Sequence, residues 1–416
     1  MKSIVVAFGV LLSMLSRDGG STEERTPWID IPTVQMRGGL SVFWAMGGSQ
    51  SERHRKEAVA HGFQLSTALN TFADYPGKQK ENIANFAKSA LANPWAKPPF
   101  FERIVRRNIE ARRPEGIFFH DIEIPYSNDA EAAWENAQTR KLSGASSFPE
   151  FEKDYLKEWS TWFSLPLQWT KEIYPQTPVG LYGVQPFRRD FWGIAGKSAS
   201  QIDGSHATDL ELWRNIDRYV DYYIASIYAF YPTADSVFYM AANVEENYTR
   251  TKQFGNRPVY AFEWLRYHNA NKWEKNREID PWLVEAMAIV PWFSGAKGIV
   301  LWGWEPNDDR PDLAPYAVFD RYMRSLARVS KLSELIGRGT LVVDTPTYDL
   351  WSKRLPLVRK IVVGQDDCVV MAINPWQSDN ETTSVETTCG SAPLRVEMKG
   401  RMVTLLHSVG PAKAFF

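Results

Sequence analysis

The chain has 416 residues, with 48 Lys and Arg against 49 Asp and Glu, a formal net charge of −1. That balance lacks the basic excess of a nucleic-acid binder, so no nucleic acid is expected as a partner. A hydrophobic share of 44% and a charged share of 23% describe a folded globular chain. The 17 Trp, 17 Tyr and 22 Phe are a large aromatic supply in which Trp is the outlier; because each buried indole N–H needs a partner, the Trp count suggests half-exposed rings in a groove, with an aromatic-rich barrel core as the other reading.

Residues 1–22 read as a signal peptide or N-terminal tail. The apolar stretch Ile4–Leu15 follows Met1-Lys2 and is too short to span a bilayer but suits the core of a secretory signal. Beyond it no apolar run reaches ~20 residues, so no integral membrane association is expected and a secreted or extracytoplasmic location is. Two sequons, Asn247-Tyr248-Thr249 and Asn380-Glu381-Thr382, are compatible with export.

Residues 23–336 alternate strand-like and helical patterns. The strand-like runs are Gly39–Met46, Phe63–Phe72, Gly116–Ile124, Pro178–Val184, Tyr222–Phe230, Pro258–Trp264 and Gly298–Trp304, and the helical patterns include Glu81–Leu91, Phe101–Ala111, Phe148–Ile173, Leu210–Asp217 and Val284–Phe293. Alternation of this kind predicts a parallel sheet, and its length predicts closure into an irregular TIM-like (β/α)7-8 barrel, an α/β fold with room for an eighth strand in Ala73–Lys97. Residues 337–416 read as strands alone, at roughly ten-residue spacing, which predicts a small antiparallel β-sandwich domain. Cys368 and Cys389 flank the turn-like run Gln377–Asn380. A hairpin folded there places the two sulfurs across from each other, within reach of a disulfide.

In a parallel barrel the working residues stand at the C-terminal strand ends. The third run ends His120-Asp121-Ile122-Glu123. Side chains alternate along a strand, so Asp121 and Glu123 share a face, and His120 takes the other. Two carboxyls this close do not both ionise cheaply, and one kept protonated near neutral pH is what a glycosidic oxygen needs from a general acid. Tyr182, Tyr228 and Trp302 close later runs, and Trp44, Trp264 and Trp304 lie at or near strand ends. Their flat faces suit sugar rings. The histidines form no metal-binding helical pair, and no glycine-rich phosphate loop follows a strand, so neither metal nor nucleotide cofactor is expected.

The set Asp121-Ile122-Glu123, Tyr182, Ser226-Ile227-Tyr228 and Gly298-Ile299-Val300-Leu301-Trp302-Gly303, followed by Tyr322-Met323, resembles the hyaluronidase family of glycoside hydrolases, patchily over residues 38–336. The resemblance implies an irregular barrel that cleaves a polysaccharide containing N-acetylhexosamine with retention, assisted by the substrate's acetamido group. It implies Glu123 as general acid/base, Asp121 as the orienter of the acetamido nitrogen, Tyr182 and Tyr228 as its holders, and Trp302 against its methyl. This chain departs from the family in having no cysteine in the barrel and in carrying Glu263 at the end of the sixth run. Glu263 opens a second mechanism, in which it attacks the anomeric carbon while Glu123 acts as acid/base; its structural counterpart is a buried partner of a cation. A third reading is a non-catalytic carbohydrate-binding barrel.

Overall fold

The computed structural model describes residues 25–48, 52–71, 94–95, 100–122, 130–187, 198–305, 310, 312–410 and 412–416. The expected signal segment, the expected helix Glu81–Leu91 and Glu123 lie outside the described residues, as does nearly all of the stretch considered for an eighth strand. No helix among the described residues is long and apolar enough to cross a membrane.

Seven strands form one parallel sheet: β1 (Ser41–Gly48), β2 (Gln64–Asn70), β3 (Ile117–Asp121), β4 (Val179–Tyr182), β5 (Tyr223–Ser226), β6 (Val259–Trp264) and β7 (Ala296–Glu305), in the order β4-β3-β2-β1-β7-β6-β5. This is the irregular barrel expected, nearly closed. At the seam between β4 and β5, a backbone hydrogen bond and the side chains of Asp221 and Gln185 stand in for a strand ladder. Asp221 N donates to Val179 O at 2.8 Å, and the Asp221 carboxylate accepts from Val179 N at 2.7 Å while pairing with Lys171. Higher up, Gln185 Oε1 accepts from Ser226 N at 3.1 Å.

The helices among the described residues are α1 (Glu52–Ala60), α2 (Phe101–Ala111), α3 (Ala130–Glu135), α4 (Ala137–Ser143), α5 (Phe148–Ile173), α6 (Ala199–Ile216), α7 (Ala234–Arg250), α8 (Pro281–Ile289), α9 (Phe319–Ser330), α10 (Ser333–Arg338) and α11 (Thr347–Ser352). Helix α2 buries Phe101, Ile104, Val105 and Ile109, a 3.6-residue stripe that was legible as helix. Helix α7 has no such stripe, because Ser236 through Asn247 are all buried. It is wrapped on all sides, so no amphipathic period announced it.

The barrel interior is filled in layers. Near its N-terminal end Tyr222 and Tyr260 stack with centroids 4.6 Å apart, and Phe43 lies 5.2 Å from Tyr260. Gly180 and Gly298 make this possible, since a Cβ at either would meet the Tyr222 or Tyr260 ring at 2.3 and 2.7 Å. Above them Phe119 packs edge-on against Phe262 at 5.5 Å.

The remaining strands are antiparallel: β8 (Thr340–Val342), β9 (Leu357–Gly364), β10 (Asp367–Ile373), β11 (Thr382–Cys389), β12 (Ala392–Lys399), β13 (Thr404–Val409) and β14 (Ala412–Phe415). They form a five-stranded sheet, β14-β13-β10-β9-β8, covered on one face by the β11-β12 hairpin. Strand alternation explains the layering. Val369, Met371 and Ile373 of β10 extend the barrel core, whereas Cys368, Val370 and Ala372 face Leu394, Val396 and Met398 of the hairpin. Cys368 and Cys389 are bonded, Cα atoms 5.8 Å apart, but not within one hairpin as expected. Strand β10 pairs with β9 and β13, and β11 pairs with β12, so the disulfide staples the two layers together.

A buried ion pair fixes this sheet to the barrel. Glu245 of α7 receives Arg359 Nε and Nη2 of β9 at 3.0 and 2.7 Å, and accepts from Thr347 N and Oγ1, both at 2.9 Å. Asn247 of the first sequon is fully buried, with its amide bonded to Phe187 O at 3.0 Å, so the fold does not present it as a glycan acceptor.

Candidate active site

At the C-terminal rim the inward-facing positions are set by register. Asn70, Asp121 and Tyr182 are consecutive Cα partners across β2, β3 and β4, while Trp264, Trp302 and Ala45 are partners across β6, β7 and β1. Asp121 continues the inward parity of Phe119 and is half-buried. His120 has the opposite parity, as expected. It is buried against α5, with Nε2 2.7 Å from Thr170 Oγ1 and Nδ1 2.8 Å from Thr71 Oγ1. Burial pushes its pKa down to about 3, so this imidazole stays neutral and serves packing rather than proton transfer.

Four of the expected aromatic residues converge. The Tyr228 ring lies 6.4 Å from Tyr182, 6.0 Å from Trp264 and 5.9 Å from Trp302. Trp264 and Trp302 meet edge to face at 5.1 Å. Phe262 forms the floor, 4.4 Å from Tyr182. Tyr182 and Trp302 stay half-exposed while Tyr228 and Trp264 are largely covered, an arrangement that offers ring faces and edges to a flat ligand. Trp264 Nε1 is buried and has no hydrogen-bond partner among the described residues, leaving an indole donor in the wall of the mouth. Trp304 lies one residue before the end of β7, opposite Gly47; its side chain is not among those described.

The backbone beneath Tyr228 is held from outside the barrel. Ser226 O accepts from Asn243 Nδ2 and, at 3.3 Å, from Tyr239 OH, both on α7. Asn247 of the same helix grips the segment after β4, accepting from Phe187 N at 3.1 Å. One buried helix thus fixes the two segments that carry Tyr182 and Tyr228.

Two expected residues belong elsewhere. Trp44 faces outward from β1 and is 2% exposed, packed against Trp28 at 6.2 Å, Phe63 at 5.3 Å and Phe319 at 6.1 Å. It is core, because its neighbour Phe43 holds the inward parity. Glu263 likewise lies between the inward-facing Phe262 and Trp264, so its carboxyl leaves the strand on the opposite side. It is fully buried there, with Oε2 accepting from Tyr322 OH of α9 at 2.9 Å. No cation among the described residues pairs with it; burial drives its pKa well above the usual carboxyl range, against the smaller pull of the Tyr322 hydrogen bond. A carboxyl that leaves the strand toward a helix does not reach a sugar in the mouth.

His268 was missed. It stacks on Tyr228 at 5.6 Å, lies 4.8 Å from Phe230, and its Nδ1 accepts from Ala270 N at 3.2 Å. That acceptor role places the ring proton on Nε2, and burial lowers the pKa. The only sequence signal was a histidine four residues past Trp264.

No family model matches the chain, and no curated protein matches it. Among solved structures it is similar to bee venom hyaluronidase, with a TM-score of 0.44 and 14% identity over 64% of this chain and 91% of that one. It is also similar to alpha-L-fucosidase isoenzyme 2 from Paenibacillus thiaminolyticus, with a TM-score of 0.43 and 10% identity over 73% of this chain and 46% of the other. A third likeness is to a β-L-arabinopyranosidase from Geobacillus stearothermophilus, with a TM-score of 0.39 and 11% identity over 92% and 98% of the two chains.

Proposed function

We propose that the protein is a glycoside hydrolase, acting outside the cytoplasm on a polysaccharide that contains N-acetylhexosamine, of hyaluronan or chondroitin type. The observation that carries this reading is the parity of the strand ends. Asp121 faces into an aromatic mouth, while the carboxylate that a covalent mechanism would need from β6, Glu263, faces out. Without that nucleophile, retention falls to the substrate's own acetamido group.

In this mechanism Glu123, two residues past Asp121, protonates the glycosidic oxygen as the bond from C1 breaks. The acetamido oxygen closes onto C1 from the opposite face, and Asp121 orients the acetamido N–H and stabilises the positive charge of the resulting ring. Glu123 then takes a proton from water, which opens the ring at C1 with overall retention. Tyr182 and Tyr228 hold the acetamido group, and Trp302 packs against its methyl. The disulfide between Cys368 and Cys389 supports an oxidising compartment.

The test is reducing-end release across a panel of polysaccharides. Glu123→Gln and Asp121→Asn are each expected to lower turnover about a thousandfold, within the range of positioned acid–base catalysis, and a thiazoline mimic of the cyclised sugar is expected to inhibit. A sugar trapped covalently on Glu263, or full turnover by Glu123→Gln, would sink the mechanism. Glycan binding with no hydrolysis of any panel member would leave a non-catalytic carbohydrate-binding barrel.

A further inference from the structure

The segment after β6, residues 265–280, folds back on itself at the mouth side of the barrel. Tyr267 N donates to Arg277 O at 2.9 Å and Ile279 N to Leu265 O at 3.2 Å, with a bridge between Arg266 and Glu278. Its tip is held from below by Asn271, which is 2% exposed. The Asn271 amide donates to Phe230 O at 2.6 Å, and its Oδ1 accepts from Trp273 N at 3.0 Å and Glu274 N at 3.4 Å. On this fixed tip Trp273 is 87% exposed. An indole this exposed contributes almost nothing to the core, and single exposed apolar side chains often need no explanation. Here, however, the backbone beneath it is fixed by a buried side chain.

The charges around it are sorted as well. Arg277 takes up two of the loop's three acids, Glu274 at 2.5 Å and Asp280 at 2.9 Å, and the third, Glu278, accepts from Ala317 N at 2.9 Å and Val318 N at 3.3 Å. Lys272 and Lys275, on either side of Trp273, are exposed and have no ion-pair partner among the described residues. Aromatic rings lead from the mouth to the base of this loop, from Tyr228 to His268 at 5.6 Å and on to Phe230 at 4.8 Å, the residue whose carbonyl anchors Asn271.

We propose that Trp273, Lys272 and Lys275 form a rim subsite for an acidic polysaccharide. Trp273 stacks on a sugar ring beyond the unit being cleaved, and the two ammonium groups face the carboxylates of the chain. The proposal rests on the reading of the mouth as a glycan cleft. It adds where the chain is gripped beyond the point of cleavage, and by which side chains.

Gel retardation of the full chain tests it, in gels containing hyaluronan or a neutral mannan, with hydrolysis of each polymer followed in parallel. Wild type is expected to be retarded by hyaluronan and much less by mannan. Trp273→Ala is expected to weaken the hyaluronan Kd about tenfold, the scale of one aromatic contact, while Trp273→Tyr keeps most of it. The double variant Lys272→Ala/Lys275→Ala is expected to bind hyaluronan more weakly and with less dependence on salt. Unchanged melting temperatures exclude misfolding as the cause. Absence of wild-type retardation by hyaluronan, or retardation unaffected by Trp273→Ala, overturns the subsite, and equal retardation by mannan overturns its anionic ligand. Retardation that depends on Trp273, without hydrolysis by any version, supports the subsite and refutes the hydrolase reading alone.

Discussion

On β6 two neighbouring side chains leave one backbone in opposite directions and meet different surroundings. Trp264 joins Tyr228 and Trp302 at the mouth, while Glu263 is sealed against Tyr322 of α9. The same contrast separates the tryptophans of two paired strands: Trp302 is half-exposed on the inside, and Trp44, whose Cα partner is Leu301, is walled in outside. Residue type does not distinguish these positions; parity along the strand does. The inner face lines the mouth, and the outer face holds the barrel to its helices.

Truncating the two tryptophans tests this contrast most strongly. Trp44→Ala is expected to destabilise the fold by about 4 kcal/mol, as for other buried large-to-small changes, while the molecules that remain folded keep the wild-type KM. Trp302→Ala should do the reverse, raising KM about tenfold through loss of one aromatic contact with little loss of stability. Denaturant melts and steady-state kinetics on both variants check the pair. Equal effects on both quantities would break the distinction between faces.

A smaller effect tests whether the mouth depends on the C-terminal sheet. Helix α7 holds Ser226 O through Asn243 and meets Arg359 of β9 through Glu245. Arg359→Met leaves Glu245 buried without its cation, a change that costs about 3 kcal/mol. That is the lower end for such pairs, because Glu245 keeps both bonds from Thr347. Adding Glu245→Gln is expected to recover part of the loss in urea denaturation. No recovery would mean that the cost arises from packing rather than from the uncompensated charge.

The seven barrel strands were legible because β-rich runs alternate with helical stripes, and the antiparallel region because strand patterns dominate there, although the short helix α11 between β8 and β9 was not foreseen. Parity on β6 was harder to read. In Val259-Tyr260-Ala261-Phe262-Glu263-Trp264 both faces are apolar, as is usual for parallel strands covered on both sides, so the single carboxylate drew attention to itself. The clue was nonetheless present, since adjacent residues cannot both point into the mouth, and the aromatic ring already required Trp264. Helix α7 left no clue because it is buried all round. The cysteine pairing was legible from spacing, but not the sheets it joins, because a turn between two strands does not say whether they pair with each other.

Glu263→Gln is the mildest of these changes and bears most directly on the choice of mechanism. Its carboxyl is held far above the usual range by burial, so the folded protein binds a proton there that the unfolded chain releases above its ordinary carboxyl pKa. Stability then falls as pH rises from the unfolded value toward the folded one, because over that window the native state holds more protons than the unfolded state. Glutamine copies the neutral acid and keeps an acceptor for Tyr322, so near pH 4 the substitution is expected to cost about 1 kcal/mol or less, the scale of one hydrogen bond. Over the pH range above the ordinary carboxyl pKa the variant should gain on wild type in melting temperature, and turnover should remain at the wild-type level throughout. A variant that is inactive while fully folded would put Glu263 back into the chemistry, and parallel melting curves across that pH range would show that the buried carboxyl is ionised after all.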